Sequence, residues 1–164
     1  MNHALMGFMR AHGQMPGPGE RPWAAGALAG AAGGVGSIPV LEWSGAAASL
    51  AGATDVPRWL VLSAGPVVAS LAGLLYGAVF RRAASDRRGG WLFGISYGFL
   101  LWMLGPVTLL QVLLGHPLAT GMAAMGILGG NLLFGLILGL LFRPAHRLVR
   151  KPFGETMQTP TSTK

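Results

Sequence analysis

The chain has 164 residues, of which 52% are hydrophobic and only 10% charged, whereas a water-soluble domain carries about 25% charged residues. That balance excludes an ordinary soluble globule, and the absence of cysteine excludes disulfides, thiolate metal sites, iron–sulfur clusters and a cysteine nucleophile. The net charge of +7 has to be read first as a topology signal and only then as a sign of an anionic partner.

In chain order, residues 1–22 combine methionines with Gly13, Pro16, Gly17, Pro18 and Gly19, which break helices, and read as a mobile cytoplasmic arm. The first membrane span is predicted over about 23–43. It is rich in glycine and alanine, is interrupted by Pro39 and meets Glu42 directly after its uncharged stretch, so its end falls anywhere between Pro39 and Ala53. Residues 44–58 read as a connecting loop with room for one short surface helix. Uncharged apolar runs then predict spans at 59–80, 91–114 and 121–142, with Pro66 and Pro106 as kinks. The basic, then polar, segment 144–164 reads as a cytoplasmic tail. The predicted fold is therefore all-α, with residues 23–143 forming one four-helix transmembrane bundle. A secretory-signal reading of residues 1–48, cleaved at Ala46–Ala48, is the competing parse, but its leading segment and apolar region are both longer than such signals use.

Lys and Arg concentrate on the cytoplasmic side of membrane proteins. With the N-terminus inside, eleven of them lie on that side and only Arg58 lies outside, which predicts an N-in/C-in chain in the cytoplasmic membrane. Trp23, Trp43, Trp59 and Trp91 then fall at membrane interfaces, where amphipathic rings are favoured. Topology accounts for the basic surplus without a nucleic-acid partner, and the bilayer becomes the expected partner.

Gly73-x-x-x-Gly77-x-x-Phe80-Arg81 recurs as Gly135-x-x-x-Gly139-x-x-Phe142-Arg143, each matched position shifted by 62 residues. This suggests a duplicated helical hairpin; apolar helices that close on an aromatic residue and an arginine also resemble one another by coincidence, and both readings stand. No comparable match is evident between the first and third spans. Further glycines four apart, Gly26, Gly30 and Gly34, and Gly90, Gly94 and Gly98, predict faces on which helix backbones approach closely, either within the bundle or between chains.

Ionisable groups inside a membrane are the default functional candidates, and the second, third and fourth spans contain none. Glu42, Gln111 and Asn131 are the candidate intramembrane polar groups. Glu42 is expected to pair with Arg58 or sit at a hydrated helix end, and Asn131 to bond between helices. Gly94-Ile95-Ser96-Tyr97-Gly98 matches the nucleophile pattern G-x-S-x-G, yet that motif needs a strand-to-helix turn, and no histidine occupies a predicted span to act as base. The four histidines are too dispersed for a haem pair, and Met6 and Met9 with His3 and His12 make a weak case for a soft-metal arm, since thioethers also serve as adaptable apolar contacts. No enzyme activity and no cofactor is predicted.

DVPRWL at 55–60, GLLYGAVF at 73–80, YGFLLWML at 97–104 and GNLLFGLILGLLF at 130–142 together resemble small bacterial inner-membrane proteins of the YagU-like type. The resemblance spans roughly residues 24–143 and implies a four-helix membrane protein without catalytic residues to transfer. Members of such families often place a histidine where this chain has Asn131, which argues against a metal or proton-relay role there. The expected function is that of a non-enzymatic membrane protein acting through helix packing, as a homo-oligomer or an accessory subunit. A small oligomeric permease or channel lined by Glu42, Gln111 and Asn131 is the alternative.

Overall fold

The computed structural model describes residues 21–80, 89–106, 115 and 120–149. These form five α-helices with no strand among the described residues: α1 Pro22–Trp43, α2 Ala46–Thr54, α3 Arg58–Val79, α4 Gly90–Trp102 and α5 Gly121–Val149. Helices α1, α3 and α5 are long and apolar enough to cross a membrane. Pro22 opens α1, a position where its missing N–H costs nothing, and Gly45, at φ +72°, closes it. The loop predicted at 44–58 holds α2, which ends on Asp55 in the left-handed region. Val56 N donates back to Ala51 O at 3.2 Å, a helix-terminating bond, and Pro57 then precedes α3.

Helix α4 widens into a π turn over residues 103–106, where Pro106 can donate no bond and its ring crowds the preceding turn. Residues 107–114, the remainder of the third predicted span and the site of Gln111, lie outside the described residues. The fourth span extends beyond its expected end at 142, since α5 continues through Pro144 to Val149. The segment 144–149, expected to begin the tail, is therefore helical.

Glycine decides how the helices pair. A Cβ on Gly30 would stand 2.9 Å from Gly73 Cα, and one on Gly34 would stand 2.8 Å from Pro66 Cα, so α1 and α3 touch backbone to backbone and run antiparallel. A Cβ on Gly94 would stand 2.8 Å from Gly139 Cα, and one on Gly135 would stand 3.0 Å from Gly98 N, which pairs α4 with α5 in the same manner. Such closeness gains dispersion and weak Cα–H···O contacts that any side chain would forfeit. Ser70 Oγ adds a 3.1 Å bond from α3 to Ala27 O on α1.

The two pairs repeat one arrangement. Gly26 faces Gly73 and Gly77 as Gly94 faces Gly135 and Gly139; Gly30 faces Ala69 and Gly73 as Gly98 faces Asn131 and Gly135; Pro22 faces Gly77 as Gly90 faces Gly139. The first and third predicted spans thus do correspond, contrary to the sequence reading. Their offset is 68 residues, against 62 for the second and fourth. The six-residue difference lies in the connectors, the first of which is lengthened by α2.

Candidate functional site

The two hairpins meet along two seams that a perfect repeat would make identical: α1 against α5, and α4 against α3. The first is closed. Gly33 lies against Phe134, Gly36 against Ile137, Gly130 against Leu41 and Gly126 against Ser44 and Ala46. The second lacks this backbone approach. Ala72, Leu75 and Val68 on α3 stand where α5 has Phe134, Ile137 and Gly130, and Leu101 and Leu104 on α4 stand where α1 has Gly33 and Gly36. Val68, Leu75 and Leu104 are 63%, 57% and 56% exposed.

Aromatic side chains bridge the second seam at the end where α3 finishes and α4 starts. Tyr76 and Phe80 from α3 meet Phe93 and Tyr97 from α4, with ring centroids 5.1 Å apart for Tyr76–Tyr97 and 5.2 Å for Phe80–Phe93. Phe142 of α5 closes the cluster edge-on to Tyr76 at 5.7 Å. These separations suit tilted and T-shaped ring packing. Tyr97 Oη donates to Ala72 O across the seam at 2.8 Å, and Tyr76 Oη donates in the reverse direction to Gly90 O at 3.5 Å. In the closed seam the corresponding positions are Ala25, Ala29, Leu138 and Phe142, all buried. Two alanines on α1 thus occupy the places that Phe93 and Tyr97 take on α4. The smaller pair lets backbones meet, whereas the rings keep α3 and α4 apart, and beyond the rings the seam is left open.

The polar groups singled out in the sequence do not converge. Glu42, in the last turn of α1, receives both arms of Arg58, with Nε to Oε1 at 3.1 Å and a second bond from the other arm to Oε2. This joins the adjacent ends of α1 and α3 beside the exposed rings of Trp43 and Trp59. Because the pair is open to its surroundings, Glu42→Gln is expected to lower stability by no more than about 1 kcal/mol, as read from the unfolding midpoint in detergent. Asn131 differs from expectation: its amide donates to Ile127 O within α5 at 2.8 Å, and its backbone carbonyl, rather than its side chain, faces Gly98 of α4. Gln111 lies outside the described residues.

Trp23 and Trp91 begin α1 and α4 at one end, and Trp43 and Trp59 lie at the other, all exposed. Ser96 is exposed on the side of α4, and its hydroxyl donates to Leu92 O of the same helix at 3.1 Å, the habit of a serine within a helix. Among the described residues no three of His, Asp or Glu gather to hold a metal ion. The contact of Tyr76 with Tyr97 went unread in the sequence; the signal was the exchange of Ala25 and Ala29 for Phe93 and Tyr97 at an offset of 68. No family model, curated protein or solved structure matches the chain.

Proposed function

We propose that the chain is a non-enzymatic, four-span, N-in/C-in protein of the cytoplasmic membrane that acts by assembling with other membrane helices, as copies of itself or as a subunit of a larger complex. The observation that carries this reading is the inequality of the two seams. Glycine faces in both hairpins and in the α1–α5 seam are occupied inside the fold, while the α3–α4 seam retains an exposed apolar lining for which its sister seam already has a helix partner. In lipid, association follows side-chain fit rather than hydrophobic drive, and a seam bordered by Val68, Leu75 and Leu104 offers ridges on which a further helix can pack. A permease lined by Glu42 and Asn131 has less support, because one is held by Arg58 and the other bonds within its own helix.

Extraction of the full chain in mild detergent followed by native mass spectrometry tests the reading. A homo-oligomer or a complex with other subunits, dissociated by Val68→Trp or Leu104→Trp, is the expected result. A monodisperse monomer, or an assembly indifferent to both substitutions, would overturn it.

A further inference from the structure

Helix α5 is longer than a bilayer crossing requires. Its 29 residues rise about 43 Å, against a hydrocarbon thickness of about 30 Å, and the excess includes the end beyond Phe142. Phe142 still packs on Tyr76, whereas Arg143, His146, Arg147 and Leu148 follow it. A Cβ on Gly77 would meet both Phe142, at 3.1 Å, and the Pro22 carbonyl. The residues adjoining those contacts, Arg143 and Arg21, are thereby carried to the same end of the molecule.

The two ends treat their cations differently. Arg58 at the Trp43 end is matched by Glu42. Arg21, Arg143 and Arg147 form no ion pair among the described residues. They lie within about two helical turns of Phe142 or Pro22, a depth that corresponds to the headgroup layer flanking the hydrocarbon. Leu148, 84% exposed, directly follows Arg147, so this last turn presents an apolar side chain beside a guanidinium, a combination suited to the boundary of acyl chains and phosphates.

We propose that Arg21, Arg143 and Arg147 form a contact surface for anionic phospholipid headgroups in the leaflet at this end of the molecule. The guanidinium fork matches the phosphate geometry, and each cation near a lipid surface favours anionic over zwitterionic lipid by about fivefold. A nucleic acid is the less suitable partner, since its backbone would have to enter the headgroup layer to reach Arg143. The proposal rests on the membrane reading above, and the test separates the two.

The full chain is reconstituted into nanodiscs of equal phosphatidylcholine and phosphatidylglycerol, released into detergent, and the retained lipids are counted by native mass spectrometry. Wild type should keep phosphatidylglycerol preferentially. The preference should fall about fivefold for each arginine removed in R143Q/R147Q and R21Q/R143Q/R147Q. R143K/R147K should preserve most of it, and R58Q, at the opposite end, all of it. Unchanged helicity of each variant by circular dichroism confirms that the surface, rather than the fold, was altered. Equal retention of both lipids by wild type, or an undiminished preference in the triple variant, would overturn the surface. So would displacement of the lipid by millimolar inorganic phosphate, which would reassign the site to a soluble anion, or by a duplex oligonucleotide, which would reassign it to nucleic acid. Failure of the chain to enter nanodiscs would instead overturn the membrane reading on which it rests.

Discussion

Gly135→Leu is expected to destabilise the α4–α5 pair by more than about 3 kcal/mol, beyond the usual range of a surface substitution. A Cβ at this position meets the Gly94 carbonyl, with Gly94 C at 2.9 Å and Gly98 N at 3.0 Å. Every one of these neighbours is backbone, so no rotamer change makes room and the whole helix has to retreat. The retreat separates Gly94 from Gly139 as well, and dispersion along the seam falls together because both helices are rigid. Gly65 on α3 provides the contrast, having nothing within 4 Å of a built Cβ. Gly65→Ala should be neutral or stabilising by up to about 1 kcal/mol, through helix propensity alone. Both variants can be followed by denaturation in mixed micelles using tryptophan fluorescence, since Trp91 Cα lies 2.9 Å from the position of a Cβ on Gly139. Wild-type stability in Gly135→Leu would show that α4 and α5 do not meet along this face.

Gly73, Gly77, Gly94, Gly98, Gly135 and Gly139 were legible in the sequence as close-approach positions because their spacing of four is a local pattern. Which glycine faces which is a tertiary fact, and the spacing is silent on it. Helix α1 ends at Trp43, inside the range left open between Pro39 and Ala53, and the ends of α3 fell within a residue of their expected bounds, since a proline or a charge marks each of them. The end of α5 did not, because Arg143 and Pro144 resemble a stop while the helix continues through them. The correspondence of α1 with α4 was hidden by the insertion of α2, which turns an offset of 62 into one of 68. The inequality of the seams was the hardest to read. In water a buried face is apolar and a free face polar, so periodicity reports which is which; in these helices Tyr76 and Phe93 point inwards and Val68 and Leu104 outwards, and both faces are apolar. Asn131 misled for a related reason, since an amide within an apolar helix suggests a bond to a neighbour but can also use a carbonyl of its own helix.

Removing the aromatic spacer should bring α3 and α4 together. The triple variant Y76L/F93A/Y97A gives the second seam the residues of the first, Leu138, Ala25 and Ala29, at the corresponding positions. Because the chain has no cysteine, spin labels at Leu71→Cys and Leu100→Cys, exposed sites on α3 and α4, report that separation directly by pulsed electron resonance. A shortening by several ångströms, on the order of a ring's thickness, is the expected result. Single substitutions divide the contributions. Tyr97→Ala removes a buried ring and should cost about 3–5 kcal/mol. Tyr97→Phe removes only the 2.8 Å bond to Ala72 O and should cost about 0.6–2 kcal/mol. Tyr76→Phe, whose bond to Gly90 O is 3.5 Å long, should cost less still. If the triple variant loses stability while the label distance stays fixed, the rings fill the seam without holding it open, and the separation of α3 from α4 must come from Val68, Leu75, Leu101 and Leu104. The distance therefore discriminates between the two physical causes, and the order of the single variants shows whether the hydroxyls or the rings tie the hairpins together at this end.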